Sequence, residues 1–75
     1  MQKTLNTFVV GEKGKVLALM AQGKMKRKLF DMGVTTGVEI ELKKVAPLGD
    51  PLQLKLRGYD LLLRKDEAAN VVMEC

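Results

Sequence analysis

Apolar and polar residues alternate with a period of two over two long stretches of the chain. Val38, Ile40 and Leu42 alternate with Glu39, Glu41 and Lys43, and Leu52, Leu54 and Leu56 alternate with Gln53, Lys55 and Arg57. That period puts each apolar set on one face of a strand. Tyr59, Leu61 and Leu63 continue the second pattern beyond Arg57-Gly58. The pair reads as a two-residue hairpin turn, with Gly58 in a backbone region that L-residues resist. Leu62 gives the returning strand an apolar residue on its other face. Between Lys24 and Met32 the period changes. Met25, Leu29 and Met32 fall at i, i+4 and i+7, one stripe of a short helix that Phe30 extends. Gly33 is placed as its C-terminal stop. Asp31 opposes the helix dipole there, which points to a tertiary partner for its charge.

The remaining elements are shorter. Met1 to Thr7 reads as a lead-in, with Leu5 the first core contact, and Gly11-Glu12-Lys13-Gly14 as a turn. Lys15 to Met20 is a strand whose faces the pattern leaves open, because Val16 to Met20 are all apolar. Either it is buried on both sides or a bulge lets both registers contribute. Gln22-Gly23 ends it, and Val34 to Gly37 is a turn. Lys65 to Asn70 reads as one helical turn, with Asp66 and Glu67 near its start where anions are favoured. Val71 to Met73 forms a last strand. The expectation is a mainly β, five-stranded, partly open barrel of the SH3-like kind. One short α-helix lies between strands 1 and 2, and a helical turn precedes the last strand. A flat sheet with the helix across one face is the alternative.

Ala46-Pro47-Leu48-Gly49-Asp50-Pro51 joins the two alternating stretches. Both X-Pro pairs push Ala46 and Asp50 out of the helical region, and Gly49 supplies the freedom a reversal needs. The loop is stiff, and an exposed Leu48 on it would be a preorganised apolar contact.

This loop, with Arg57-Gly58-Tyr59-Asp60-Leu61-Leu62-Leu63-Arg64-Lys65-Asp66-Glu67-Ala68 downstream, closely resembles the small ferrous iron transport protein A (FeoA) family. Lys26-Arg27-Lys28-Leu29-Phe30-Asp31-Met32-Gly33 and the Thr36-Gly37 turn extend the resemblance to roughly Asn6–Met73. It implies the SH3-like barrel. It also implies a cytoplasmic accessory to a membrane ferrous iron transporter that carries its own GTP-binding domain (FeoB-type), docking on the transporter's cytoplasmic part. The same domain occurs fused to iron- and manganese-responsive repressors, but this chain shows no helix-turn-helix pattern.

Composition narrows the chemistry. Seventy-five residues, 47% hydrophobic and 29% charged, form one domain, 1–75, with a small core. The single cysteine, Cys75, leaves no internal disulfide. No apolar run approaches the ~20 residues of a spanning helix, and no signal-peptide core is visible. The expectation is a soluble, cytoplasmic protein without membrane insertion. With no histidine and one cysteine, imidazole and thiolate metal sites cannot be built within one chain. With no serine either, neither Ser-His nor Cys-His catalysis can. We expect no catalytic residues, no cofactor and no metal site.

The net charge of +4 favours acidic partners. Lys24, Lys26, Arg27 and Lys28 gather on the helix beside its apolar stripe, either as a solvated face or as a docking surface. The residues expected to bind a partner are Lys26, Arg27 and Lys28, then Pro47, Leu48, Gly49, Asp50 and Pro51. Exposed Arg57 and Arg64 are secondary candidates beside the loop. The competing reading is a small nucleic-acid-binding barrel, since Lys13-Gly14-Lys15-Val16 loosely resembles the start of the ribosomal KOW pattern. Against it, three aromatics spread over the chain offer no stacking platform. The oligomeric state is not legible.

Overall fold

The computed structural model describes residues 1–75, and the two alternating stretches are adjacent interior strands of its sheet. Six strands form one antiparallel sheet: β1 (Gln2–Thr4), β2 (Lys13–Leu19), β3 (Glu39–Val45), β4 (Leu52–Leu56), β5 (Tyr59–Leu63) and β6 (Val71–Glu74). Their order is β1-β6-β2-β3-β4-β5, so β1 and β5 are open edges. Helix α1 (Gly23–Asp31) joins β2 to β3, and the single turn α2 (Lys65–Ala68) joins β5 to β6. The sheet wraps around sixteen buried apolar residues, among them Leu5, Val16, Leu29, Ile40, Leu42, Leu54, Leu56, Leu63 and Met73. Every strand from β2 to β6 and both helices contribute to this core.

The strand count is one higher than the sequence suggested. The lead-in is itself a strand, with Gln2, Lys3 and Thr4 paired to Glu74, Met73 and Val72. Three residues carry too little alternation to be read alone, and their pairing is supplied by the far end of the chain. Lys13 and Gly14, read as turn, belong to β2 and pair with Glu41 and Ile40. The ambiguity over Val16 to Met20 resolves as a bulge between Val16 and Ala18, which leaves Leu17, Ala18 and Met20 exposed.

Helix α1 ends where the glycine placed its stop. Gly33 N–H donates to Phe30 O at 3.0 Å and Val34 N–H to Leu29 O at 2.9 Å, a Schellman arrangement. Gly33 has φ +91°, and a Cβ there would run into the Tyr59 hydroxyl. That hydroxyl donates to Met32 O at 2.7 Å, fixing the helix end against β5. Gly33→Ala is therefore expected to cost about 1–2 kcal/mol. Urea denaturation checks this, and Tyr59→Phe in the same background should return part of the loss by opening the space. Phe30, expected to extend the apolar stripe, is instead 48% exposed. Asp31 is exposed and forms no ion pair, so the tertiary partner suggested for it is not there.

The hairpin turn forms as expected and takes both central residues to positive φ, Arg57 at 51° and Gly58 at 83°. This is the type I′ geometry whose twist suits flanking strands. On the outer face the register builds a ladder of alternating charge across four strands: Lys13 opposite Glu41, Glu41 opposite Lys55, and Lys55 opposite Asp60. A one-residue slip would bury these charges, so the ladder helps fix the pairing.

Candidate functional site

Three segments carry the expected partner-binding residues, and two of them are held together by polar contacts. On α1, Lys26 and Arg27 are exposed and, with Gly23, Phe30 and Asp31, line a shallow concavity on the outer side of the helix. Lys28, one residue on, turns its ammonium back into the fold. It donates to Glu67 Oε2 at 2.5 Å, a pairing 39 positions apart in sequence. The basic cluster is thus divided, with Lys24, Lys26 and Arg27 facing solvent and Lys28 holding α1 to α2.

Glu67 is the centre of that link, and the sequence did not mark it beyond a helix-start acid. It is 5% exposed, while the Lys28 side chain remains half exposed. Its other oxygen, Oε1, accepts the Arg64 N–H at 2.9 Å, which satisfies one of the free donors at the start of α2. The hydrogen bond from Lys28 holds the Glu67 carboxyl below its usual range, against the upward pull of burial. A residue pattern of Arg-x-x-Glu lacks the Ser or Thr that signals a capping box, so this role was hidden.

The loop from Ala46 to Pro51 is stiff in the way its prolines implied. Gly49 N–H donates to Ala46 O at 2.8 Å and Ala46 N–H to Pro51 O at 3.1 Å. Gly49 sits at φ 87°, and the Asp50-Pro51 peptide is cis. Asp50 Oδ1 accepts the Lys65 N–H at 2.9 Å, tying the loop to the first residue of α2. Leu48 is left 96% exposed at the tip, with Pro47 and Pro51 exposed on either side. A path of polar contacts therefore runs from Lys28 on α1 through Glu67 and α2 to Asp50, linking helix and loop.

Arg64 flanks the loop and shares a shallow groove with Asp50 and Pro51. Arg57 does not lie beside the loop. It occupies the opposite end of β4, about 17 Å away at ~3.4 Å per residue, where its guanidinium lies 3.5 Å from Thr35 Oγ1. Tyr59 is at that end too. Alternation alone could have shown this, since the loop precedes β4 and the hairpin turn follows it. No group of three or more His, Cys, Asp or Glu side chains is gathered to hold a metal ion. No helix is long and apolar enough to cross a membrane.

The FeoA domain family model matches residues 3–75. The chain is similar to the Fe(2+) transport protein A/Fe(2+) transporter FeoB fusion protein of Porphyromonas gingivalis, 26% identical over 70 residues. That match takes in 93% of this chain and 8% of the fusion protein, so the chain spans only a small part of that relative. Among solved structures, a FeoA-like protein from Clostridium acetobutylicum is 42% identical with a TM-score of 0.91, over 97% of this chain and 85% of its own. FeoA from Stenotrophomonas maltophilia, in complex with zinc, is 25% identical with a TM-score of 0.83, over 96% of this chain and 89% of its own. That protein is described as a prokaryotic SH3 domain protein and a candidate ferrous iron transport activating factor. The partly open SH3-like architecture expected from the strand pattern is the architecture observed, with β1 added at one edge.

Proposed function

We propose that this chain, which belongs to the FeoA domain family, is a non-catalytic cytoplasmic module that docks on a ferrous iron transporter bearing its own GTP-binding domain. The observation that carries the reading is the relative in which a similar segment and the transporter share one polypeptide. A covalent fusion holds two partners at high effective concentration, which is useful only where the separate proteins work together. The geometry fits an interaction role. Lys26 and Arg27 offer exposed charge beside the exposed ring of Phe30, and Leu48 stands out from a braced loop. A contact that is already rigid loses little entropy on binding. An acidic surface on the transporter's GTP-binding domain, with an apolar recess for Leu48, is the matching partner.

The test is an NMR titration of isotope-labelled chain with the transporter's soluble GTP-binding domain, with a short RNA duplex as the parallel arm. Shifts at the Lys26–Phe30 and Pro47–Pro51 segments, seen only with the GTP-binding domain, are expected. Lys26→Glu with Arg27→Glu should weaken the complex by roughly tenfold to a hundredfold, about 1.4–2.7 kcal/mol. Salt-sensitive shifts with RNA alone would overturn the reading.

A further inference from the structure

The sheet leaves β5 unpaired on its outer side. Arg57-Gly58 is a two-residue turn, so Leu56 and Tyr59 exchange both of their hydrogen bonds, as do Leu54 with Leu61 and Leu52 with Leu63. The N–H and C=O groups of Asp60 and Leu62 consequently point away from β4. None of the turn, loop or side-chain hydrogen bonds uses them. On the outer face of the sheet, Leu62 is 62% exposed and lines a groove with Lys44, Ala46, Pro47, Pro51 and Gln53. The groove holds about 230 Å³, under the ~300–1,000 Å³ typical of small-molecule pockets, and suits one side chain. Asp60 is exposed, ends the Lys13–Glu41–Lys55–Asp60 ladder, and has no ion pair.

We infer that the free edge of β5 accepts an extended segment of a partner protein as a seventh, antiparallel strand, with an apolar residue opposite Leu62 and a basic residue opposite Asp60. Four backbone hydrogen bonds to Asp60 and Leu62 supply affinity, and the two outward side chains supply selectivity, as in strand addition generally. The basic residue continues the alternation of charge that the ladder begins, and the apolar one covers Leu62 at the mouth of the groove. In an antiparallel strand this reads apolar-x-basic from N- to C-terminus.

A second copy of the chain fits the edge less well. Pairing centred on Leu62 would oppose Asp60 with Arg64 of the other copy. Yet the Arg64 N–H already goes to Glu67 and its C=O to Ala68. Pairing centred on Leu61 frees four hydrogen bonds but sets Asp60 against Leu62. The identity of the natural partner rests on the docking role proposed above; the recognition chemistry of the edge does not.

The test is a titration of the isotope-labelled full chain with a nine-residue synthetic peptide centred on Val-Thr-Arg. Controls are the Val-Thr-Glu peptide and a version N-methylated at the Val and Arg amides. We expect shifts and slowed hydrogen exchange at the Asp60 and Leu62 amides. Affinity for the Arg peptide should be roughly tenfold that for the Glu peptide, and N-methylation should abolish binding. Asp60→Lys, at an exposed position whose folding the same spectra verify, should reverse the preference. Unmoved Asp60 and Leu62 amides at millimolar peptide, or equal binding of both charges, would overturn the inference. Protection at these amides that rises with protein concentration alone would also overturn it, in favour of a second copy. No transporter is needed here, so a failed titration leaves docking through Lys26 and Arg27 standing. A failed complex with the GTP-binding domain likewise leaves the edge result intact.

Discussion

Gly14→Val should lower the stability of this domain by about 3 kcal/mol. Gly14 is buried in β2, opposite Ile40. A Cβ at that position would lie 2.7 Å from the Glu74 carbonyl oxygen, 3.1 Å from the Phe8 ring and 3.3 Å from the Cys75 Cβ. The first obstacle is main chain. Relieving it means moving the end of β6 away from β2, where Lys15 pairs with Glu74. The ring is no easier to shift, being buried with the Lys3 ammonium 5.1 Å from its centroid. The strand preference of valine cannot offset this, because the whole β-propensity scale spans only ~1 kcal/mol. A chain of this length has about 4–11 kcal/mol of stability in all. At ~4–8 °C per kcal/mol, the Tm should fall by roughly 12–24 °C. Thermal unfolding followed by circular dichroism checks it, and an unchanged Tm would mean that β6 has no fixed place against Gly14.

That glycine also shows where sequence reasoning reaches its limit. Glycine serves both where φ is positive and where two backbones approach closely, and one letter stands for both uses. Gly11, at φ 93°, is a turn glycine, whereas Gly14 is a packing glycine inside a strand. Alternation identified β3, β4 and β5 because each turns its apolar set to one face, which is buried in β3 and β4 and toward the Leu63 end of β5, and a period of two is the direct mark of that. The helix and its Gly33 stop were legible for the matching reason at a period near 3.6. β1 was not, because its three residues gain their structure from β6, some seventy positions away.

The candidate site divides along the same line. The stiffness of the Pro47–Pro51 loop and the exposure of Leu48 are local properties of two prolines and a glycine, and they could be read directly. Which charges remain free is a tertiary matter. Lys28 looks equivalent to Lys26 and Arg27 in sequence, yet the fold commits it to Glu67. Arg57 sits in the same motif as Arg64, yet the length of β5 puts the two at opposite ends. Asp60 and Leu62 share a strand with buried Leu63, and only the sheet order shows that their outward backbone groups have no strand partner.

Glu67→Ala is the second large effect, and its dependence on pH identifies its cause. The substitution leaves the Arg64 N–H without its acceptor and the Lys28 ammonium without its partner. Loss of a cap costs about 1 kcal/mol. Breaking a fully buried ion pair costs ~3–5 kcal/mol, but the Lys28 side chain is 55% exposed and regains water, so much less of that applies. The expected total is about 2–3 kcal/mol near neutral pH. The Glu67 carboxyl is held below its usual value of 4.5 in the folded chain, chiefly by the hydrogen bond from Lys28. A depressed folded-state pKa contributes stability in full above the unfolded value, and that contribution disappears as pH falls through the folded one. The gap between wild type and Glu67→Ala should therefore be full above the usual value of 4.5 and narrow progressively as pH falls below it. Glu12, held down in the same way by Lys3, is present in both proteins and drops out of the comparison. Urea denaturation of both proteins at neutral and acid pH measures the gap. If it stays constant, the loss comes from the packing of the side chain around α2. If it closes, the carboxylate itself joins the two helices, and with them the basic face of α1 and the Leu48 loop.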